Sequence, residues 1–265
     1  MDTVQIILLA LLQGLTEFLP ISSSGHLVLL PKFVGWEDQG LAFDVAVHLG
    51  TLFAVLIYFR ADVMRIVRAL LAGVAGRGFN ADAMLGLHVG IATVPVALCG
   101  LLLGDLIDGH LRSAAVIATT TAVFGVLLYV ADRFGQRTRK MDGATFVDAL
   151  VVGCAQVLAL VPGTSRSGIT MTAALARGFD REGAAHFSFL MAIPVILLAS
   201  AYQTLKLVSE PVGGAWRELG LGVLVSGVAA YLCIGWFMRF VSRAGMWVFA
   251  LYRIALAIVI FALLV

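Results

Sequence analysis

Six apolar stretches of roughly twenty residues, at about 41–60, 83–103, 114–131, 184–206, 217–238 and 246–264, recur along this 265-residue chain. Each could cross a hydrocarbon layer of about 30 Å as a helix. Inside that layer every backbone amide must find its partner within the chain, which leaves helices or a closed barrel. The expected fold is therefore an all-α polytopic membrane protein, one integral-membrane domain over 1–265. Composition agrees: 61% of residues are hydrophobic, only 13% are charged, and mean hydropathy is +1.01, against about 25% charged in a soluble domain. A net charge of +2 is too close to balance to suggest nucleic acid as a partner. No polar segment is long enough for a soluble catalytic domain, so any chemistry belongs to residues in or beside the membrane. Cys99, Cys154 and Cys233 lie singly in apolar segments and read as small buried hydrophobes. Met1-Asp2-Thr3 lacks the basic region of a cleaved signal, so the apolar run that follows is expected to be retained.

Two regions break the pattern. Residues 2–34 hold two short apolar runs around Glu17-Phe18-Leu19-Pro20-Ile21-Ser22-Ser23-Ser24-Gly25-His26, and residues 144–177 hold two more around Val161-Pro162-Gly163-Thr164-Ser165-Arg166-Ser167-Gly168. Such runs are short for a crossing, and the breaks are rich in Pro, Gly and hydroxyls. Two re-entrant helix-loop-helix hairpins are expected, because irregular backbone at membrane depth must line protein or a wet cavity.

If each hairpin returns to the side it entered from, the basic residues separate. Arg60, Arg65, Arg68, Arg77, Arg133, Arg137, Arg139, Lys140, Arg177, Arg181, Arg239 and Arg243 gather on one side. Lys32, Arg112, Lys206 and Arg217 gather on the other, and Arg166 and Arg253 stay within the membrane. The richer side is then cytoplasmic. Both termini and the first hairpin open outward, and the second hairpin enters from the cytoplasm.

A shift of 143 positions brings Gln13 onto Gln156, Leu15 onto Leu158, Ser22 onto Ser165, Ser24 onto Ser167 and Gly25 onto Gly168. Two halves, about 1–131 and 144–265, would then be inverted copies, an architecture that places its site near the midplane where the broken helices meet.

The breaks also carry the candidate chemistry. Gln13 and Glu17 share one helix face at i,i+4 spacing, and a carboxylate at membrane depth is a functional candidate by default. Ser22, Ser23 and Ser24 can cap a helix start, and His26 is a possible general base for a preceding hydroxyl. Ser165-Arg166-Ser167 opens the other half-helix with a permanent cation, and Thr170 adds a hydroxyl one turn on. Helix amino termini favour anions. Together these features describe an oxyanion site that suits a diphosphate. The competing reading is a purely structural Arg166–Glu17 pair. His48, His88 and His186 have no metal-like spacing and read as packed, hydrogen-bonded residues. Asp44 and Asp148 sit near span ends, Gln156 mirrors Gln13 in orienting the loops, and Arg253 reads as a structural anchor.

At the two breaks the sequence resembles the undecaprenyl-diphosphate phosphatase, or bacitracin-resistance, family. Gln13-Gly14-Leu15-Thr16-Glu17 followed by Ser22-Ser23-Ser24-Gly25-His26 is similar to its (E/Q)xxxE motif and SS-x-GH extension. Pro162-Gly163-Thr164-Ser165-Arg166-Ser167-Gly168-Ile169-Thr170 is similar to its PGxSRSxxT motif. Phe187-Ser188-Phe189-Leu190 and Ala250-Leu251-Tyr252-Arg253 extend the likeness along the chain. The resemblance implies hydrolysis of undecaprenyl diphosphate to the monophosphate at the outer face of the bacterial cytoplasmic membrane, recycling a lipid carrier for cell-wall synthesis. It also implies bacitracin resistance, six spans with two re-entrant hairpins, and dependence on a divalent cation, Mg²⁺ or Ca²⁺. Gln13 stands where many members carry Glu, which leaves Glu17 as the nearby carboxylate.

On this basis Ser23 is expected to attack the terminal phosphate, with His26 taking its proton. Arg166, Ser165, Ser167 and Ser22 would hold the phosphoryl oxygens, Glu17 the cation, with Gln13 and Thr170 assisting and Gln156 among the binding residues. Attack by His26 or by water remains an alternative. The lipid is the expected partner, and a homodimer is compatible with this reading. A lipid-phosphate flippase built on the same repeat is the alternative function. The type-2 phosphatidic-acid phosphatase pattern fails, because the positions where it needs His and Asp hold Thr172 and Ala176.

Overall fold

A computed structural model describes residues 1–111, 113–207 and 216–265. Arg112, counted above on the sparsely charged face, lies outside them. The described residues form eleven α-helices and no named strand. In chain order they are α1 (Thr3–Thr16), α2 (Ser23–Val34), α3 (Leu41–Tyr58), α4 (Arg60–Ala72), α5 (Ala81–His110), α6 (Ala114–Phe134), α7 (Phe146–Val157), α8 (Arg166–Ala176), α9 (Arg181–Leu207), α10 (Trp216–Ala244) and α11 (Trp247–Leu264). Six of them, α3, α5, α6, α9, α10 and α11, are long and apolar enough to cross a membrane. They are the six stretches expected from the sequence, and the chain is a multi-pass membrane protein.

Three boundaries differ from expectation, one of them the end of α5, which runs on to His110, seven residues past the expected 103. The first span stops at Tyr58, and α4 then starts at Arg60 as a separate helix. Its Arg60, Arg65 and Arg68 would be costly in a hydrocarbon layer. The tenth helix runs on to Ala244, six residues past the expected end.

In the bundle α10 packs against α3 and α1, α11 packs on α6, and α8 lies among α6, α7 and α9. Small residues permit the closest approaches. A Cβ on Gly50 of α3 would sit 2.1 Å from Ser226 Oγ and 2.3 Å from Val223 O, and one on Gly14 of α1 would sit 2.5 Å from Ser226 O. Glycine at both positions therefore lets α1 and α3 close on the same turn of α10. An aromatic core fills the centre, where Phe18 meets Phe189 edge-on at 5.2 Å between ring centroids.

The two short helix pairs share one local construction. After α1 the chain turns through Phe18–Ile21, and Ser22 takes a left-handed φ of 73°. After α7 it passes through a 3-10 turn (Leu158–Leu160) and Gly163, and Ser165 takes φ of 70°. Each serine caps the next helix through its own hydroxyl, accepting from the amide of Gly25 or Gly168. An L-residue at positive φ carries strain, here offset by the cap.

Candidate active site

Glu17 is the hub. It lies at the carboxyl end of α1, 8% exposed, and each oxygen has a separate set of partners. Oε1 accepts from Arg166 Nη2 at 2.9 Å. Oε2 accepts from Gln13 Nε2 at 2.9 Å and from Ser23 Oγ at 2.7 Å. One carboxylate thus joins the end of α1, the start of α2 and the start of α8. Arg166 also donates to the Ser188 carbonyl of α9 at 3.2 Å and lies over the Phe18 ring. The Arg166–Glu17 pair of the competing structural reading is present. It opens onto a cavity of about 200 Å³ lined by Ser22, Ser23, Ser24, His48, Ser165 and Arg166, with apolar walls from α5 and α9.

The breaks touch directly. Ser167 Oγ donates to the Leu19 carbonyl at 2.8 Å. Arg253, fully buried on α11, binds carbonyls of both: Pro20 at 3.2 Å, and Gly163 and Thr164 at 2.9 Å. It also reaches Thr121 and Thr120 on α6. The expected anchor is therefore a brace that ties both breaks to α6.

Several residues sit differently from expectation. His26 makes no hydrogen bond to Ser23 among the described residues. Its Nδ1 is 2.7 Å from Ser22 O, an acceptor only, so Nδ1 donates. Its Nε2 is 2.6 Å from the Tyr252 hydroxyl, and the two rings stack. Both nitrogens are engaged, because capping by Ser22 turns the imidazole back along its own helix. The hydroxyl of Ser23 goes to Glu17 instead. Thr170 is fully buried and bonds to the Arg166 and Ser167 carbonyls and to Ser188 Oγ, so it braces α8 against α9. The Ser167 hydroxyl is committed to Leu19. Gln156 is buried beside α5, its Nε2 3.5 Å from Ala92 O, and does not line the cavity. Among the other side chains, Cys154 is exposed rather than buried, and the buried His88 leaves Nδ1 without a partner. His186 does pair, with Asp62.

Sequence reasoning missed His48, which lines the cavity with Nε2 3.8 Å from Glu17 Oε2. Its place on a transmembrane helix, far from either break, gave no local signal. Tyr252 and Ser188 were quoted above without roles.

Gln13 is fully buried, and its Oε1 has no partner. That orphaned oxygen beside one carboxylate fits a divalent cation that takes its other ligands from phosphate oxygens and water, the usual habit of Mg²⁺. Among the described residues no three His, Cys, Asp or Glu side chains converge on a metal site.

Comparison with known proteins adds an independent line. A family model described as "Bacitracin resistance protein BacA" matches residues 6–259. A protein of Teredinibacter turnerae named undecaprenyl-diphosphatase is 52% identical over 261 residues, covering 98% of this chain and 99% of that one. A protein of the same name from Thioalkalivibrio sulfidiphilus is 53% identical over 257 residues, 97% of each chain. One from Campylobacter concisus is 49% identical over 256 residues, again 97% of each.

Proposed function

The chain belongs to the bacitracin resistance protein BacA family, and from that premise we propose that it hydrolyses undecaprenyl diphosphate to undecaprenyl phosphate and inorganic phosphate. The observation that carries this is the buried carboxylate of Glu17, bracketed by Ser23 on one oxygen and Arg166 on the other at the foot of an open cavity.

In the proposed reaction Ser23 Oγ attacks the terminal phosphorus and its proton passes to Glu17 Oε2, 2.7 Å away. The bond from that phosphorus to the bridging oxygen breaks, and undecaprenyl phosphate leaves with the electron pair. Water then cleaves the phosphoserine, and the proton returns to Ser23. Arg166 stabilises charge on the transferring phosphoryl group, and the amino termini of α2 and α8 add partial positive charge. Ser22 and Ser165 fix those termini. His26, held by Tyr252, keeps the first turn of α2 in place. Glu17 and Gln13 would hold a divalent cation together with the diphosphate, and when bound it neutralises part of the substrate's charge.

We place the site at the outer face of the bacterial cytoplasmic membrane, supported by the asymmetry of basic residues. We also read α1–α2 and α7–α8 as re-entrant hairpins of an inverted repeat. At 14, 12, 12 and 11 residues these helices span only about 16–21 Å each, and their serine caps match. Removal of undecaprenyl diphosphate by this reaction would account for bacitracin resistance.

Phosphate release from C55 and C15 diphosphates by the purified protein in detergent tests the proposal. The wild type should release phosphate, excess EDTA should stop it, and Ser23→Ala and Arg166→Ala should each lower it by about 10³-fold. No release by the folded wild type under any divalent cation would refute the proposal and favour a flippase, which releases none.

A further inference from the structure

His48 stands in the site with no part in the reaction as derived. Its Nδ1 is 2.7 Å from the Asp44 carbonyl oxygen, which can only accept, so Nδ1 carries the hydrogen. In the neutral ring Nε2 then holds the free lone pair, and it lies 3.8 Å from Glu17 Oε2. That gap is too long for a hydrogen bond. Without a positive charge between or on them, two such lone-pair atoms repel. An imidazole whose other nitrogen donates to a backbone carbonyl is the arrangement that fixes the tautomer of metal-ligating histidines.

The neighbouring acceptor is equally idle. Gln13 Oε1 is buried without a partner, and its orientation is fixed because Nε2 donates to Glu17 Oε2. Flipping the amide would set two oxygens against each other. Two side chains that flank Glu17 Oε2, Gln13 on α1 and His48 on α3, therefore each carry one atom with an unused lone pair. Metal–ligand bonds run about 2.0–2.6 Å, so two ligands of one ion can stand 3.8 Å apart.

We propose that His48 is a ligand of the divalent cation, its Nε2 joining the Glu17 carboxylate and Gln13 Oε1. This imidazole biases the site toward Mn²⁺, Co²⁺ or Zn²⁺ over Mg²⁺ and Ca²⁺. The inference rests on the proposal that Glu17 and Gln13 hold a cation, and adds a nitrogen ligand to it. Imidazole favours the later divalent metals, whereas oxygen-only sets suit Mg²⁺ and Ca²⁺. A His48 imidazolium paired with Glu17 would fill the same space with charge and leave no room for the ion.

The test is Mn²⁺ binding to the purified full chain in detergent, without lipid substrate, read by electron spin-echo envelope modulation and by titration. The wild type should show nitrogen modulation from a directly bound imidazole. His48→Ala and the milder His48→Gln should lose it. Mn²⁺ affinity should fall at least about 10-fold in both variants, and Ca²⁺ affinity should move by less than about threefold. Glu17→Gln should lose both cations. Absence of the nitrogen signal in the wild type, or unchanged Mn²⁺ affinity in the His48 variants, overturns the proposal. If Glu17→Gln still abolishes Mn²⁺ binding in that case, the cation site itself stands. If Glu17→Gln binds Mn²⁺ like the wild type, the cation site falls too.

Discussion

Replacing Arg253 by Met should separate the stability of this protein from its activity. The guanidinium is fully buried and donates to five backbone carbonyls, with no carboxylate among its hydrogen-bond partners. Thr120 and Thr121 lie within α6 and keep their own helical partners. Pro20 and Thr164 lose the guanidinium donor outright, and Gly163 keeps only a 3.3 Å bond from Thr121 Oγ. Two to three orphaned carbonyls cost about 1–3 kcal/mol each. Removing an uncompensated buried cation returns several kcal/mol, so the net loss of stability should be about 2–3 kcal/mol. The site suffers more, because Pro20 precedes Ser22 by two residues and Thr164 directly precedes Ser165. A shift of about 1 Å in either cap moves Ser23 against Arg166, and misplacement on that scale costs about 10² in rate. Unfolding in detergent micelles gives the first quantity and phosphate release the second. A folded Arg253→Met protein with turnover within threefold of wild type would refute the idea that this side chain sets the register of the two breaks.

Tyr252→Phe removes the hydroxyl that holds His26 Nε2, and it should lower turnover by less than about tenfold, whereas Ser23→Ala should cost orders of magnitude; equal losses in the same phosphate assay would restore His26 to the proton transfer. Gly50→Ala places a methyl against Ser226 Oγ and the Val223 carbonyl, so thermal unfolding should show a loss of about 2–3 kcal/mol or more; no loss would mean that α3 and α10 can separate freely. Asp148, in the first turn of α7, is buried, and burial alone would raise its pKa. Hydrogen bonds from Arg139, Thr145 and Arg177 outweigh burial and hold the carboxyl well below the usual carboxylate range. A depressed folded-state pKa contributes stability above the unfolded value of about 4 and loses it as pH falls below that. Asp148→Asn should therefore be about 2 kcal/mol less stable than wild type at pH 7, with the two curves converging below about pH 4. A gap independent of pH would refute the assignment.

Much of the architecture was legible because the signals are local. Hydropathy over about 20 residues marks a crossing whatever surrounds it, and all six spans appeared where expected, with ends displaced by up to seven residues. The breaks were legible for the same reason, since Pro, Gly and Ser in an apolar run announce irregular backbone. Glu17 and Arg166 stood out as candidates because a charge is costly at membrane depth, whereas Ser23 stood out only through the motif that holds it. The extent of α4 did not follow, because its apolar positions continue those of the preceding span and only its arginines separate the two.

Which of these groups face one another was settled by packing. Arg166 meets Glu17 across 149 residues, and Arg253 meets Pro20 across 233. The proton of Ser23 points to Glu17 rather than His26 because the left-handed Ser22 cap fixes the rotation of α2 about its axis. His48 enters the site only because Gly14 and Gly50 let α1 and α3 approach the same turn of α10. A residue's type sets the cost of burying it, and that cost can be read along the chain. Its partner depends on the rotation and spacing of helices remote in sequence, which only the folded bundle decides.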